Sequence, residues 1–263
     1  MFPALFVSHG APTFAIDPGI AGPALTAYGK SIQLPDAVIV LSPHWQTNGL
    51  VISSGAAPET IHDFYGFPTA LYSLQYPVNG APEVAHQLMQ HLADKAIPAR
   101  LERARGLDHG AWVPLRYLFP HAKVPVMQIS LPINWGSHEF YQLGVALSDF
   151  LPQKVLFVGS GSLTHNLYEF RGNAGDKAAP YAEEFSEWIA THLLNPAPDK
   201  VVRALELAPH AKRAHPTDEH FTPLSFVLGI AGGYQKATRL VNEIRHGVLS
   251  MDAYSFDRTA VGA

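Results

Sequence analysis

The sequence of 263 residues contains no cysteine. This absence excludes disulfide bonds, and it leaves imidazole nitrogens and carboxylate oxygens as the ligands for any transition metal. The sequence also lacks an apolar run of the roughly 18 residues that a membrane-spanning helix needs. No basic segment precedes an apolar stretch at the N-terminus, so no secretory signal is visible. We therefore expect a cytoplasmic protein that is not embedded in a membrane.

Charged residues are scarce as well, at 15% of the chain, and they form no basic cluster. The formal net charge is −4, from 18 Lys and Arg against 22 Asp and Glu. Nucleic-acid binding requires concentrated positive charge, so this composition argues against it. A small molecule is the expected partner, and a homo-oligomer is compatible with the sequence. Histidine is abundant by contrast, with 14 copies, which directs attention to imidazole chemistry.

Segments typical of strands and helices alternate along the chain, which predicts an α/β fold. Apolar runs suited to buried strands of a largely parallel sheet cover residues 4–8, 37–42, 124–131 and 155–158. Helical periodicity covers residues 82–95, 139–150, 181–194, 199–207 and 224–230. Residues 239–256 have the pattern of one or two antiparallel edge strands. We predict a single α/β domain over residues 1–263, with a central, largely parallel or mixed sheet flanked by helices and the active site at the carboxyl ends of the strands.

Several histidines follow the predicted strands directly. His9 follows the first strand, His44 follows the second, and His165 lies just beyond a glycine-rich turn after another. Because the carboxyl ends of parallel strands lie at one edge of a sheet, these side chains can converge there on one small site. His220 lies at or near a helix start, where the helix dipole favours a neutral ring able to bind a metal. The four rings together predict a metal centre built from imidazole.

Each of these patterns also has a purely structural interpretation. A histidine after a strand is often a hydrogen-bonded turn residue. The turn "GSGSLT" lacks the third glycine of a dinucleotide-binding loop, and no G-x-S-x-G nucleophile elbow occurs. The segment "LDHGAWVPL" places His109 beside a carboxylate and a glycine, which suits either a structural loop or proton transfer. The aromatic segment "HDFYGFPTALYSLQYP" suits either a core-covering loop or the wall of an aromatic substrate pocket.

Seven short motifs occur together along the chain: "SHGAPT", "SPHW", "IHDFYGFP", "LYSLQYP", "LDHGAWVPL", "SGSLTHNL" and "HPTDEHFTPL". In this order and approximate spacing they resemble the class III extradiol ring-cleavage dioxygenases of the LigB superfamily, in particular the DOPA-dioxygenase-like branch. The resemblance covers nearly the whole chain. It implies a non-haem, metal-dependent dioxygenase that opens the ring of a catechol with O2.

The resemblance also implies a ligand set for the metal. His9 and His44 match metal ligands, and His220 occupies the position of the third ligand. His165 matches the acid/base histidine of the family, which lies close enough to the metal to be a ligand as well. Fe(II) is the metal expected for activity. A set of three neutral histidines also suits Zn(II), which can occupy the site in isolated protein.

The resemblance implies further roles around this centre. His165 is expected to remove and return protons, and His109 and His215 are expected to stabilise the oxygen-derived anion. The substrate ring is expected to lie against His62, Phe64, Tyr65 and Phe67. Two other functions remain open from the residues alone: a zinc-dependent hydrolase that uses metal-bound water, and a non-catalytic metal-binding or interaction protein. Which catechol is the physiological substrate also remains open.

Overall fold

Ten strands form the β-structure of the residues that the structure, a computed structural model, describes: 2–150, 154–170 and 177–258. The strands are β1 (Ala4–Ser8), β2 (Ala37–Thr47), β3 (Leu50–Ser53), β4 (Ala99–Glu102), β5 (Val126–Pro132), β6 (Val155–Gly161), β7 (Lys236–Val241), β8 (Ile244–Arg245), β9 (Leu249–Ser250) and β10 (Ala253–Asp257).

Nine α-helices occur in the same described ranges. They are α1 (Ala21–Ser31), α2 (Pro82–Asp94), α3 (His109–Leu118), α4 (Ser137–Leu147), α5 (Pro180–Leu194), α6 (Pro198–Val202), α7 (Ala204–Leu207), α8 (Ala211–Ala214) and α9 (Thr222–Ala231). Short 3-10 helices cover Pro12–Ala15, Thr69–Ser73 and Leu167–Glu169. None of the described helices is both long and apolar enough to cross a bilayer.

The main sheet contains eight strands in the order β4-β3-β5-β2-β6-β1-β10-β7. Its centre is parallel, because β2 pairs in parallel with β5 and β6, and β6 pairs in parallel with β1. Both sides contain antiparallel neighbours, where β3 meets β5 and where β10 meets β1 and β7. The remaining strands, β8 and β9, form a small separate hairpin. This mixed sheet confirms the α/β class that the sequence predicts.

Side chains of the central strands alternate between two apolar layers. In β1, Ala4 and Phe6 pack into the layer that contains α2, α4, α5 and α9, whereas Leu5 and Val7 pack into the layer that contains α1 and α3. Burial on both faces explains why these strands appear in the sequence as continuous apolar runs. The result is a single α/β domain with helices on both sides of the sheet.

Some elements differ from those that the sequence predicts. β3, β4, α1 and α3 are additional to the predicted elements, and α3 begins at His109. The helix predicted over residues 199–207 is divided into α6 and α7, which meet at Arg203. Of the two main strands near residues 239–256, only β7 lies at the sheet edge. β10 lies inside the sheet because it pairs with both β1 and β7.

Helices α4 and α9 pack backbone against backbone at two glycines. A Cβ atom on Gly144 would lie 2.2 Å from the carbonyl oxygen of Phe226, and one on Gly229 would lie 2.1 Å from that of Tyr141. Both distances are far below van der Waals contact, so only glycine allows the helices to approach this closely. Because α9 continues from the segment that carries His220, this contact also fixes the position of that segment.

We expect Gly229→Ala to lower the free energy of unfolding by about 1–3 kcal/mol, because the added methyl group overpacks the contact between α4 and α9. Urea denaturation measures this change. Gly136→Ala is the matched control, since a Cβ atom there meets Glu139 Oε2 at an ordinary 3.6 Å. Equal, small effects of the two substitutions would contradict the close helix contact.

Candidate metal centre and active site

Three histidines come together at the carboxyl edge of the central strands. His9 directly follows β1, His44 lies in the last part of β2, and His220 lies two residues before α9. One ring nitrogen from each lies within 4.8 Å of the others. His9 and His220 are buried, with 2% and 6% of their surface exposed. The fold therefore brings together residues that are up to 211 positions apart in the chain, the separation of His9 from His220 (220 − 9).

Glycines in β6 allow the segment of His220 to pack directly on the sheet. A Cβ atom on Gly159 would lie 2.3 Å from the carbonyl oxygen of Pro223, and one on Gly161 would lie 2.2 Å from that of His220. The backbone N–H of Ser162 donates to the same His220 carbonyl at 2.9 Å. Any side chain at Gly161 would therefore displace His220 from the cleft. Close packing, and not phosphate binding, explains this glycine-rich segment.

A hydrogen-bond chain fixes the tautomer of His9. The Ser160 hydroxyl donates to the Gly110 carbonyl at 2.5 Å, and its oxygen lies 2.9 Å from His9 Nδ1. Because the hydroxyl proton is used for Gly110, Ser160 Oγ accepts the Nδ1–H of His9. His9 Nε2 is therefore an acceptor, and it accepts a hydrogen bond from His44 Nε2 at 3.0 Å. This is the tautomer that binds a metal through Nε2.

His220 is oriented in the same way by its neighbour in the chain. Its Nδ1 donates to Glu219 Oε1 at 2.8 Å. Its Nε2 is buried and has no hydrogen-bond partner among the residues that the structure describes. A buried polar atom without a partner costs free energy, and a bound ligand removes that cost. The unpaired nitrogen of His220, beside the unprotonated Nε2 of His9, thus fits a divalent cation.

Burial keeps these imidazoles neutral at pH 7. Burial, followed by the nearby His44, holds the pKa of His9 well below its ordinary value. Burial and the neighbouring His165 do the same to the pKa of His220. Burial and His109 lower the pKa of His44 to about 4. Since neutral imidazole is the form that binds metals, protons compete little for these nitrogens at neutral pH.

Two further imidazoles extend the cluster. The ring of His165 stacks on that of His220, with centroids 3.5 Å apart and planes 9° apart. Burial lowers the pKa of His165 to about 4. The ring of His109 lies beside His44, with centroids 4.0 Å apart. The five rings therefore form one continuous cluster, with His165 next to His220 and His109 next to His44.

Asp63 holds His109 through two hydrogen bonds. Its Oδ1 accepts the backbone N–H and the Nδ1–H of His109, each at 3.0 Å. Its Oδ2 lies 3.9 Å from His44 Nδ1. Burial raises the pKa of Asp63, but the hydrogen bonds from His109 outweigh burial and bring the pKa to about 2. Asp63 is therefore ionised at pH 7, and it leaves Nε2 as the free nitrogen of His109.

Asp108 connects the start of α3 to the sheet. Its carboxylate is completely buried. Four residues donate hydrogen bonds to it: Ser42, Arg105, Ala111 and Gln128. The bond from the Ala111 N–H makes Asp108 the N-cap of α3. This network fixes the first turn of α3, and with it the position of His109, relative to β2 and β5.

The imidazoles form the floor of a cavity of about 360 Å³. Its other described lining residues are small or apolar: Gly10, Ala11, Pro12, Phe64, Phe67, Leu167, Phe170 and Leu249. Lys, Arg, Asp and Glu are absent from the described part of the lining. Walls of this kind suit a flat aromatic molecule.

The cavity contains most of the residues that the sequence selects as site residues: His9, His44, His109, His165, His220, Phe64 and Phe67. Three selected residues lie elsewhere. His62 donates from Nε2 to a backbone carbonyl at 2.9 Å, and Tyr65 is 90% exposed. His215 is buried and donates from Nε2 to the Leu163 carbonyl at 2.7 Å. None of these three side chains reaches the described cavity wall.

The sequence patterns do not predict several residues that shape the site. Ser160 and Asp63 orient His9 and His109, and Leu167 and Phe170 form part of the cavity wall. The motif "IHDFYGFP" contains Asp63 directly beside the aromatic residues, which is the one sequence signal for it. Ser160 has no such signal, because its contact with His9 joins residues 151 positions apart.

Known proteins resemble this chain over nearly its whole length. A family model described as the catalytic LigB subunit of aromatic ring-opening dioxygenase matches residues 4–255. A 4,5-DOPA dioxygenase extradiol of Beta vulgaris is 37% identical over 260 residues, which cover 97% of this chain and 96% of that protein. A 4,5-DOPA dioxygenase extradiol of Escherichia coli K12 is 33% identical, with 95% of this chain and 92% of that protein covered.

A solved structure agrees with these similarities. The crystal structure of an uncharacterized protein from Escherichia coli K12 superposes on this chain with a TM-score of 0.82 at 28% sequence identity. The superposition covers 97% of this chain and 99% of the Escherichia coli chain. The fold and the imidazole cleft, together with these relatives, define a non-haem metal-dependent dioxygenase that opens aromatic rings. Its substrates are a small aromatic molecule and O2.

The chain belongs to the LigB family of aromatic ring-opening dioxygenases, and within it the similarity is to the extradiol enzymes. The protein is thus an extradiol dioxygenase. Of the functions that the residues alone leave open, this assignment selects the dioxygenase over the zinc-dependent hydrolase and the non-catalytic protein.

We expect the protein to bind one divalent ion per chain, and the double variant His9→Ala/His44→Ala to bind none, because two of the three converging nitrogens are removed. Elemental analysis after loading with Zn(II) and dialysis measures this. His86→Ala is the control, since His86 is an exposed residue of α2 that bonds to Pro82 in its own helix. Wild-type metal content in the double variant would show that the ion binds elsewhere.

Proposed function

We propose that the protein uses Fe(II) and O2 to cleave the ring of a catechol at a bond beside its two hydroxyl groups. The observation that carries this proposal is the set of three converging imidazoles at the floor of an apolar cavity. The relatives named 4,5-DOPA dioxygenase extradiol support a DOPA-like catechol, or a related aromatic diol, as the substrate.

His9, His44 and His220 would hold the metal. Imidazole nitrogens suit Fe(II) and Zn(II) alike, and the usual affinity order favours zinc over ferrous iron. When bound, Fe(II) supplies the redox chemistry that a reaction between a catechol and O2 requires, whereas Zn(II) has none. We therefore expect zinc in protein purified in air and iron in the active form.

The catechol ring would lie against the aromatic corner of the cavity. Phe64 is 5% exposed, and its ring meets Phe67 edge to face at a centroid distance of 5.5 Å. The same ring meets His109 edge to face at 5.7 Å. Such a corner binds an aromatic ring by burial and edge-to-face contacts. It also excludes water, so that proton exchange with the substrate depends on the imidazoles.

His165 and His109 are placed to move the protons of the substrate. Both side chains line the cavity, His165 stacked on the proposed ligand His220 and His109 held by Asp63. A neutral imidazole accepts a proton from a catechol hydroxyl, and the buried surroundings favour its later return because they disfavour the charged ring. His215 does not line the described cavity and is already bonded to a backbone carbonyl, so we do not expect it to contact the substrate or to stabilise the oxygen-derived anion.

Activity is expected to follow iron. Metal-free protein reconstituted anaerobically with Fe(II) should consume O2 when a catechol is added and form a yellow ring-opened product. The same protein loaded with Zn(II) should bind the catechol without consuming O2, because zinc cannot change its oxidation state. An oxygen electrode and visible absorbance, with L-DOPA as the first of a panel of catechols, measure both. Equal rates for the two preparations would contradict the redox mechanism.

Removal of His165 is expected to slow the reaction without emptying the metal site. His165→Ala should lower turnover by about 10²–10⁴-fold, the usual contribution of general acid/base catalysis, with iron content and catechol affinity close to wild type. Iron stoichiometry, catechol binding and turnover are measured together at fixed Fe(II), with His86→Ala as the control. Loss of iron, with activity restored by excess Fe(II), would show instead that His165 is mainly a ligand.

A further inference from the structure

Asp63 lies beside the candidate active site but does not line the described cavity. The next residue in the chain, Phe64, forms part of the cavity wall. The carboxylate of Asp63 contacts the imidazole cluster from behind this wall, between His44 and His109. It is the one carboxylate that contacts both of these rings in the part of the chain that the structure describes.

One oxygen of Asp63 restrains His109 in two ways. Oδ1 accepts the backbone N–H and the Nδ1–H of His109, each at 3.0 Å. The backbone bond fixes the carboxylate relative to the first residue of α3, and the ring bond fixes the rotation of the imidazole. His109 therefore cannot turn or change its tautomer without loss of a charge-assisted hydrogen bond.

We propose that Asp63 is a positioning residue for ring cleavage, which holds His109 as the Nδ1–H tautomer so that Nε2 exchanges the proton with the substrate. The proposal rests on the proposed function, in which His109 contacts the catechol. Asp63 itself does not contact the substrate and acts through His109. A carboxylate that fixes the tautomer of a catalytic or metal-bound imidazole is a recurrent arrangement in enzymes.

A direct role in metal binding is the alternative for Asp63. One atom each of His44, Asp63 and His109 lies within 4.8 Å of the others, which is close enough for a shared ion. To bind an ion there through Nδ1, His109 would have to lose the proton that it donates to Asp63. The existing hydrogen bonds therefore favour the positioning role.

The kinetic test compares Asp63→Asn, Asp63→Glu and His109→Ala with the double variant Asp63→Asn/His109→Ala. Asp63→Asn should lower kcat by about 10- to 100-fold, as loss of a supporting hydrogen bond typically does, with KM and iron content unchanged. Asp63→Glu keeps the charge and should recover part of the rate. In the double variant, the substitution at Asp63 should cause no further loss beyond that of His109→Ala.

Asp149→Asn is the matched control for these variants. Asp149 also pairs with a histidine, at 3.2 Å from His91 Nε2, and with Lys95 at 2.8 Å. None of these three residues lines the described cavity, so loss of this pair should leave kcat, KM and iron content at wild-type values. Thermal unfolding of all variants identifies any that fail to fold.

A second measurement does not depend on activity. In metal-free protein labelled with ¹⁵N-histidine, NMR should show His109 protonated at Nδ1 in the wild type and a shifted or mixed tautomer in Asp63→Ala, which removes the acceptor oxygen that asparagine would retain. If wild-type protein opened no catechol, the proposed function would fail, and the NMR result would still decide whether Asp63 fixes His109.

Three results would overturn the positioning role. Loss of iron in Asp63→Asn would identify Asp63 as a ligand. If the rate loss of the double variant equalled the product of the losses of the two single variants, Asp63 would act on a group other than His109. An unchanged His109 tautomer in Asp63→Ala would show that the carboxylate does not control it.

Discussion

The candidate site depends on one electrostatic constraint, which is that ring nitrogens of His9, His44 and His220 lie close together in a buried cleft, where Nε2 of His220 has no hydrogen-bond partner among the described residues. Burial removes the water that would otherwise solvate this nitrogen, so leaving it without a partner costs free energy. The fold maintains this arrangement because Ser160 and Glu219 occupy the opposite nitrogens of His9 and His220. A bound cation would give Nε2 of His220 a partner, so metal binding and the stability of the folded chain are coupled.

The fold could be predicted where burial leaves a clear pattern in the sequence. The four parallel strands at the centre of the sheet appear as apolar runs, since both of their faces are covered by helices. β3 and β4 contain four residues each, too few for a distinct pattern. In α3, nearly every side chain is buried and Pro114 interrupts the helical pattern. Such a helix is difficult to recognise in a sequence, because a proline within a segment usually indicates that a helix ends there.

The site could be predicted in part because topology places strand ends together. That rule predicts that His9 and His44 lie close together, and in the structure their Nε2 atoms are 3.0 Å apart. The surrounding contacts depend on the path of loops, which sequence patterns do not specify. In the segment that follows His62, for example, Phe64 points into the cavity while Tyr65 is 90% exposed. The orienting bond between Ser160 and His9 is likewise a product of tertiary packing.

The position of β1 in the sheet has a consequence for how the chain is made. β1 leaves the ribosome before the other described strands, yet its two neighbours are β6 and β10, which begin at Val155 and Ala253. During synthesis, β1 is therefore an apolar segment without its native strand partners until most of the chain is translated. His220 also emerges late. A nascent chain thus cannot assemble the three-histidine centre, and the ion must enter after translation of this region is complete.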